Sequence, residues 1–200
     1  VPPSGCDWAS NRSALWNAAE SAERRKDAKV AREYVVAIPH ELDAPAREAL
    51  VREFAESIVE RFGVAADVAL HAPGKNGDQR NHHAHILTTT RIVEAEGLGA
   101  KTRQLDTKDT AAKEISGLRE LWAMQCNEAL ERHQKAARVD ARSYAEQGLD
   151  RVPGVHLGPE IAAIERREQK EKGADYLPRT CKAKQNAAAA ERNSVIDAAK

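Results

Sequence analysis

Long apolar runs, a cysteine framework and a surplus of charge of either sign are all missing from this 200-residue chain. No stretch is apolar enough to span a bilayer and nothing at the start resembles a signal peptide, so the sequence predicts no membrane segment. The three cysteines, Cys6, Cys126 and Cys181, are odd in number and far apart. That argues against a disulfide framework and a cysteine-type zinc site, and it suits a reducing cytoplasm. Lysine plus arginine and aspartate plus glutamate number 31 each, so global charge is silent about nucleic acid and only local basic clusters can speak to it. What is present is 42% hydrophobic and 31% charged residues with a mean hydropathy of −0.63. This is enough for one domain with a real core and a helical annex, rather than two full domains. There is no internal repeat.

Three histidines carry most of the functional information. His83 and His85 stand two apart in NHHAHIL, residues 81–87, and side chains alternate along a strand, so these two share a face while Ala84 points away. His71 ends an apolar run from Val64 to Leu70 with period-2 character, and the segment 72–80 (APGKNGDQR) reads as a hairpin loop. If the two strands pair antiparallel around that loop, His71 falls beside His83 or His85. Three imidazoles then converge on one divalent ion, leaving coordination positions open for water or a substrate oxygen. A lone strand histidine is usually just a polar residue, but three with this spacing are not explained that way. His82 is expected on the other face, and His40, His133 and His156 have no chelating neighbour in sequence.

The remaining elements follow from capping and periodicity. A helix is predicted from a Ser10 cap through Leu15, Ala18, Ala19 and Ala22 to about Ala28, with Glu20 and Arg24 supporting its outer face. Ala31 to Ile38 reads as a strand stopped by Pro39. Asp43 and Pro45 open a second helix, with Leu50, Phe54 and Ile58 at four-residue spacing and Gly63 to close it. After the two histidine strands, Gly97 and Gly99 fall in a loop. A long helix is predicted over 109–137, carrying Leu118, Leu121 and Trp122 as core rather than as a base-stacking platform. Residues 138–158 read as irregular, and charged, alanine-rich helices follow at 160–172 and 184–200. The predicted class is α+β: a mainly antiparallel sheet with helices on one face and a helical C-terminal annex.

Several segments carry a family resemblance. WASNRSALWN (8–17), ERRKDAKVARE (23–33), IPHEL (38–42) and above all HHAHILTTTR (82–91) resemble the MobA/MobL family of plasmid mobilisation relaxases. GLGAKTR (97–103), the Leu121-Trp122 pair, RVDARS (138–143), QGLDR (147–151) and HLGP (156–159) resemble its TraA-type branch, in which a relaxase is fused to a helicase. The resemblance runs from about Trp8 to about Arg167, and the expected organisation is a relaxase-like core over 1–108, truncated at its N-terminus, with a helical annex over 109–200 that completes or extends that core. It implies metal-dependent, strand-specific nicking at a transfer origin, by attack of a tyrosine that leaves the protein on the 5′ end. His71, His83 and His85 map onto the metal ligands, with Mg²⁺ or Mn²⁺ as the ion and Zn²⁺, Ni²⁺ or Co²⁺ as alternatives. The implied partners are single-stranded or hairpin DNA and relaxosome accessory proteins, in the bacterial cytoplasm.

The family's nucleophilic tyrosine precedes the tryptophan-rich helix, and this chain starts almost at that helix. Tyr34, Tyr144 and Tyr176 lie elsewhere, so the expectation is a truncated domain, short of an edge strand, that binds metal and DNA without nicking. A non-catalytic DNA-binding remnant and a metal-dependent phosphodiesterase that activates water are the competing readings. Glu33 shares a predicted face with Val35 and Ala37 and is the candidate carboxylate to support a histidine, the other reading being a solvent-facing edge charge. Arg91, Lys101, Arg103, Arg138, Arg142 and Arg151 are the candidates to grip DNA phosphates, although Asp106, Asp109, Asp140 and Asp150 dilute their field.

Overall fold

The computed structural model describes residues 1–75 and 78–198; Asn76 and Gly77, in the expected hairpin loop, and the last two residues lie outside them. Contacts divide the chain into two compact units, 1–141 and 142–200.

In the first unit, helix α1 (Arg12–Ser21) is capped by Asn11, whose side chain accepts from the Ala14 amide at 3.0 Å. The predicted cap, Ser10, instead closes the preceding 3₁₀ turn, Asp7–Ser10. The helix stops well short of Ala28 because the Ala22 carbonyl accepts from Arg91 and the Glu23 carboxylate is drawn inward, so no Glu20–Arg24 helical pair forms. Strand β1 (Ala31–Ala37) follows as predicted. Helix α2 (Ala44–Phe62) starts at Asp43, which accepts from the Ala46 amide, and ends at Gly63, left-handed at φ 65°, where only glycine is free of strain.

β2 (Ala66–His71) and β3 (His83–Thr89) are antiparallel, and β1 pairs on the other side of β3, giving the order β1-β3-β2. Ala84 and Ile86 of β3 are fully buried with Leu50, Val51, Phe54 and Ile58 of α2. Helix α3 (Lys108–Arg132) packs on α2 through Leu118, Cys126 and Leu130, and Trp122 tilts against Phe54 at 4.9 Å between ring centroids. The Asn127 amide clamps the backbone of Val139 with two 2.8 Å hydrogen bonds. These contacts keep α3 and the segment after it with the sheet, within the unit that ends at Ala141.

Sequence reasoning placed a loop where the chain forms a hairpin, β4 (Arg91–Glu94) and β5 (Gly97–Lys101). Gly97, one of the glycines that suggested a loop, adopts φ 149° at the start of β5, while a Cβ on Gly99 would meet only the movable end of the Glu94 side chain. A second small core joins Cys6, Ala9, Leu15, Ala65 and Val93, with Trp8 and Trp16 beside it. Helices α2 and α3 take one sheet face, as expected. α1 lies against the other, where Trp16 Nε1 and Arg12 Nε donate to Asp67 at 3.0 and 2.5 Å.

In the second unit an extended strip is pinned to helix α5 (Cys181–Ala198). The side-chain amides of Asn193 and Asn186, two turns apart, each donate to and accept from one strip residue, Val152 and Val155. Helix α4 (Pro159–Lys172) contributes Glu165, which accepts from the Tyr176 hydroxyl and from the Arg179 and Thr180 amides. Hydrogen bonding, led by Thr180, holds this carboxyl at about 2. Its stabilisation is therefore full above the ordinary value of 4.5 and fades as pH falls from there towards about 2. Glu165→Gln is expected to lower the melting temperature of this unit at neutral pH and to flatten its acid dependence, read by calorimetry of the whole chain between pH 2 and 7. An acid dependence equal to that of the parent would remove Glu165 as its source.

Candidate metal centre

Burial of Ala84 and Ile86 against α2 sends their neighbours His83 and His85 to the opposite face of the central strand, whose other end α1 occupies at Asp67. His71 sits directly across from His83 in the β2–β3 register, and His85 is flanked by Val35 and Ala69. The sequence left His83 and His85 open as neighbours of His71; the register selects His83. Ring centroids lie 5.2 Å apart for His71–His83, 4.6 Å for His71–His85 and 5.4 Å for His83–His85. One ring nitrogen from each histidine lies within 4.8 Å of the others. Two nitrogens each bonded at ~2.1 Å to one tetrahedral ion stand about 3.4 Å apart, so a pair at the outer limit must close by roughly 1.4 Å. The exposed His71 side chain, at the end of its strand, has room to do so.

Hydrogen bonds also set the tautomers. His85 Nδ1 is 2.8 Å from Glu33 Oε1, and His83 Nδ1 is 3.0 Å from the Asn81 carbonyl. Both partners only accept, so Nδ1 carries the proton in each ring and Nε2 presents a lone pair. This is the orientation in which an imidazole ligates a metal with its other nitrogen fixed by an oxygen. His82 is arranged in the opposite sense: its Nδ1 is 3.1 Å from Arg47 Nη1 on α2, and a guanidinium only donates. Burial, then the Arg47 charge, depress its pKa, and it takes no part in the cluster.

Glu33 lies diagonally across the β1–β3 pair from His85, on the face that alternation along β1 predicts. Glu33→Ala is expected to weaken metal binding roughly ten- to a hundredfold, the usual cost of losing a residue that orients a ligand. Isothermal titration with Mn²⁺ or Zn²⁺ measures this, and unchanged affinity would reduce Glu33 to a surface charge.

The expected phosphate grips are placed very differently. Arg91 Nε and Lys101 Nζ hold the two oxygens of Glu23 at 2.9 and 2.7 Å, and Arg91 also donates to the Gly99 and Ala22 carbonyls. Glu23 is 7% exposed. Burial opposes its ionisation, but the hydrogen bonds from Lys101 and Arg91 outweigh it and keep the carboxyl below its ordinary range. Arg138 donates to the Lys135 and Ala137 carbonyls, and Arg151 pairs with Asp197 within the second unit. Arg142 belongs to that second unit too. Arg103 is exposed beside the β4–β5 hairpin. Sequence reasoning missed Glu23, although the charged run 23–27 was the available signal. Tyr34 lies opposite Ile86, on the helix-covered face, and burial pushes its hydroxyl pKa up.

Residues 1–167 match the MobA/MobL family. The chain belongs to the MobA/MobL family. Mobilization protein MobL of Acidithiobacillus ferridurans is 40% identical over 187 residues, covering 80% of this chain and 50% of that protein. Conjugal transfer protein TraA of Agrobacterium fabrum is 34% identical over 184 residues, covering 83% of this chain and 16% of that protein. Thus this MobA/MobL chain spans half or less of these relatives. A solved structure described as "Molecular Basis of Vancomycin Resistance Transfer in Staphylococcus aureus" superposes with a TM-score of 0.59 at 30% identity, covering 72% of this chain and 73% of that one. No helix among the described residues of this MobA/MobL chain is long and apolar enough to cross a membrane.

Proposed function

We propose that this chain is the metal- and DNA-binding part of a plasmid relaxase, acting on one strand at a transfer origin. The observation that carries the reading is the meeting of three imidazole nitrogens within 4.8 Å on the face of an antiparallel sheet opposite α2. Family membership and relatives named for mobilization and conjugal transfer support it. His71, His83 and His85 would hold a divalent ion, and Glu33 and the Asn81 carbonyl would fix two of the rings. Once bound, such an ion supplies Lewis-acid polarisation of a phosphate oxygen. Three neutral nitrogens favour a first-row ion such as Mn²⁺, Zn²⁺, Ni²⁺ or Co²⁺ over Mg²⁺, whose hard shell prefers oxygen. The exposed Val35 and Ala37 beside the histidines leave that face open to a nucleic-acid strand. The three unpaired cysteines suit work in a reducing bacterial cytoplasm, in company with accessory proteins at the origin.

Tyr34 faces away from the histidines, which favours binding without scission for these 200 residues alone. Incubated with supercoiled origin plasmid and Mn²⁺, the chain is expected to bind DNA and leave it supercoiled. Fused behind a tyrosine-bearing segment, it should yield open circles with protein linked to the 5′ end. Free phosphate ends without attached protein would move the assignment to a hydrolase, and DNA binding indifferent to both metal and histidines would overturn it.

A further inference from the structure

We propose that a recess between the α1–β1 connection and the β4–β5 hairpin is a second DNA contact, a seat for backbone phosphates of the duplex next to the strand at the histidines. This rests on the relaxase reading above. The cavity measures about 960 Å³ and is lined by six cations against three carboxylates, in a chain whose net charge is zero.

Every one of those carboxylates is already engaged. Glu23 is taken by Arg91 and Lys101, Asp27 by Arg25, and Asp106 by Arg32 from outside the recess. Arg24, Lys29 and Arg103 remain, each lining the recess and each without a side-chain partner among the described residues. Three like charges held together in a concavity repel one another and focus a positive potential that an anion relieves. The Glu23 cluster fixes the floor rather than neutralising the rim, because it ties the chain just after α1 to both strands of the hairpin. The volume is generous for one phosphate and suits a run of them.

Position favours DNA over a small ligand. From His83 to Thr89, β3 rises about 20 Å, and Arg91 of the recess follows two residues later. At about 3.4 Å per base pair, the strand rise from His85 or His83 to the end of β3 corresponds to roughly four to six steps of duplex. A strand end at the histidines and a stem in the recess can therefore belong to one origin molecule.

The test uses fluorescence anisotropy with a labelled DNA hairpin carrying a single-stranded tail, titrated over a range of NaCl concentrations, for the whole chain and for the triple variant Arg24→Gln, Lys29→Gln, Arg103→Gln. Three lost phosphate contacts should lower the slope of log K against log[salt] by about 2.7 and cut affinity near 0.15 M salt roughly a hundredfold. Mn²⁺ stoichiometry should stay at that of the parent, and Arg24→Lys with Arg103→Lys should restore the slope lost by Gln at those two positions. An unchanged slope in the triple variant, while the parent chain still binds, overturns the recess and leaves the relaxase reading intact. A parent chain with no salt-dependent DNA affinity overturns both. Saturable binding of inorganic phosphate or ATP that the variant loses, with DNA affinity unaltered, would give the recess to a small ligand and overturn the proposal.

Discussion

Replacing His83 by alanine is expected to lower the affinity for Mn²⁺ or Zn²⁺ at least about a hundredfold in calorimetric titration, more than the usual loss of an orienting residue. His83 is on the central strand, across from His71 and two residues from His85, so its ring neighbours both others. Without it the donor set falls to two nitrogens, and the ion must complete its shell from water alone. The same substitution should shift folding stability by no more than ~0.5 kcal/mol, because the side chain is partly exposed and lies four residues along β3 from Leu87, the partner of the Asp67 that α1 covers. His82→Ala is the internal control. It is one residue away but turned to Arg47 on the other side of the sheet, so metal stoichiometry should not change. Equal losses from both would mean the metal reads the segment without regard to face, which the proposed centre does not allow.

The meeting of the three histidines was legible because they lie in one hairpin. Strand alternation and a short connection leave few arrangements for His71, His83 and His85, and Glu33 followed from the same alternation on the neighbouring strand. The α2 boundaries were equally readable, since Asp43, Pro45 and Gly63 act through their own backbone. Where the sequence was silent, the deciding partner was distant. Arg91 and Lys101 show their charge in the sequence, but the carboxylate that claims them, Glu23, is some seventy residues upstream. The same capture ends α1 early, which helical periodicity through Ala22 could not reveal. Gly97 and Gly99 pointed to a loop because glycine's lack of a side chain serves a tight hairpin and an irregular segment alike.

The face assignment carries the site, and a core substitution checks it from the other side. Ile86→Ala is expected to destabilise the first unit by about 3–4 kcal/mol, in the range for an isoleucine deleted from a core that relaxes only partly. Ile86 is fully buried, pairs with Tyr34 and Val68 across the sheet and packs in the α2 core. For a unit of this size that is roughly a 10 °C fall in melting temperature. Metal affinity at 25 °C should be retained, because the imidazoles project from the opposite face. Val35→Ala gives the mirror comparison: Val35 lies beside His85 and is 58% exposed, so its loss should cost no more than ~0.5 kcal/mol. A register slip of one residue would exchange the two faces and reverse both results. If Ile86→Ala proved harmless and Val35→Ala costly in thermal melts, the histidines would be pointing into the core, and neither a metal nor a DNA strand could reach them.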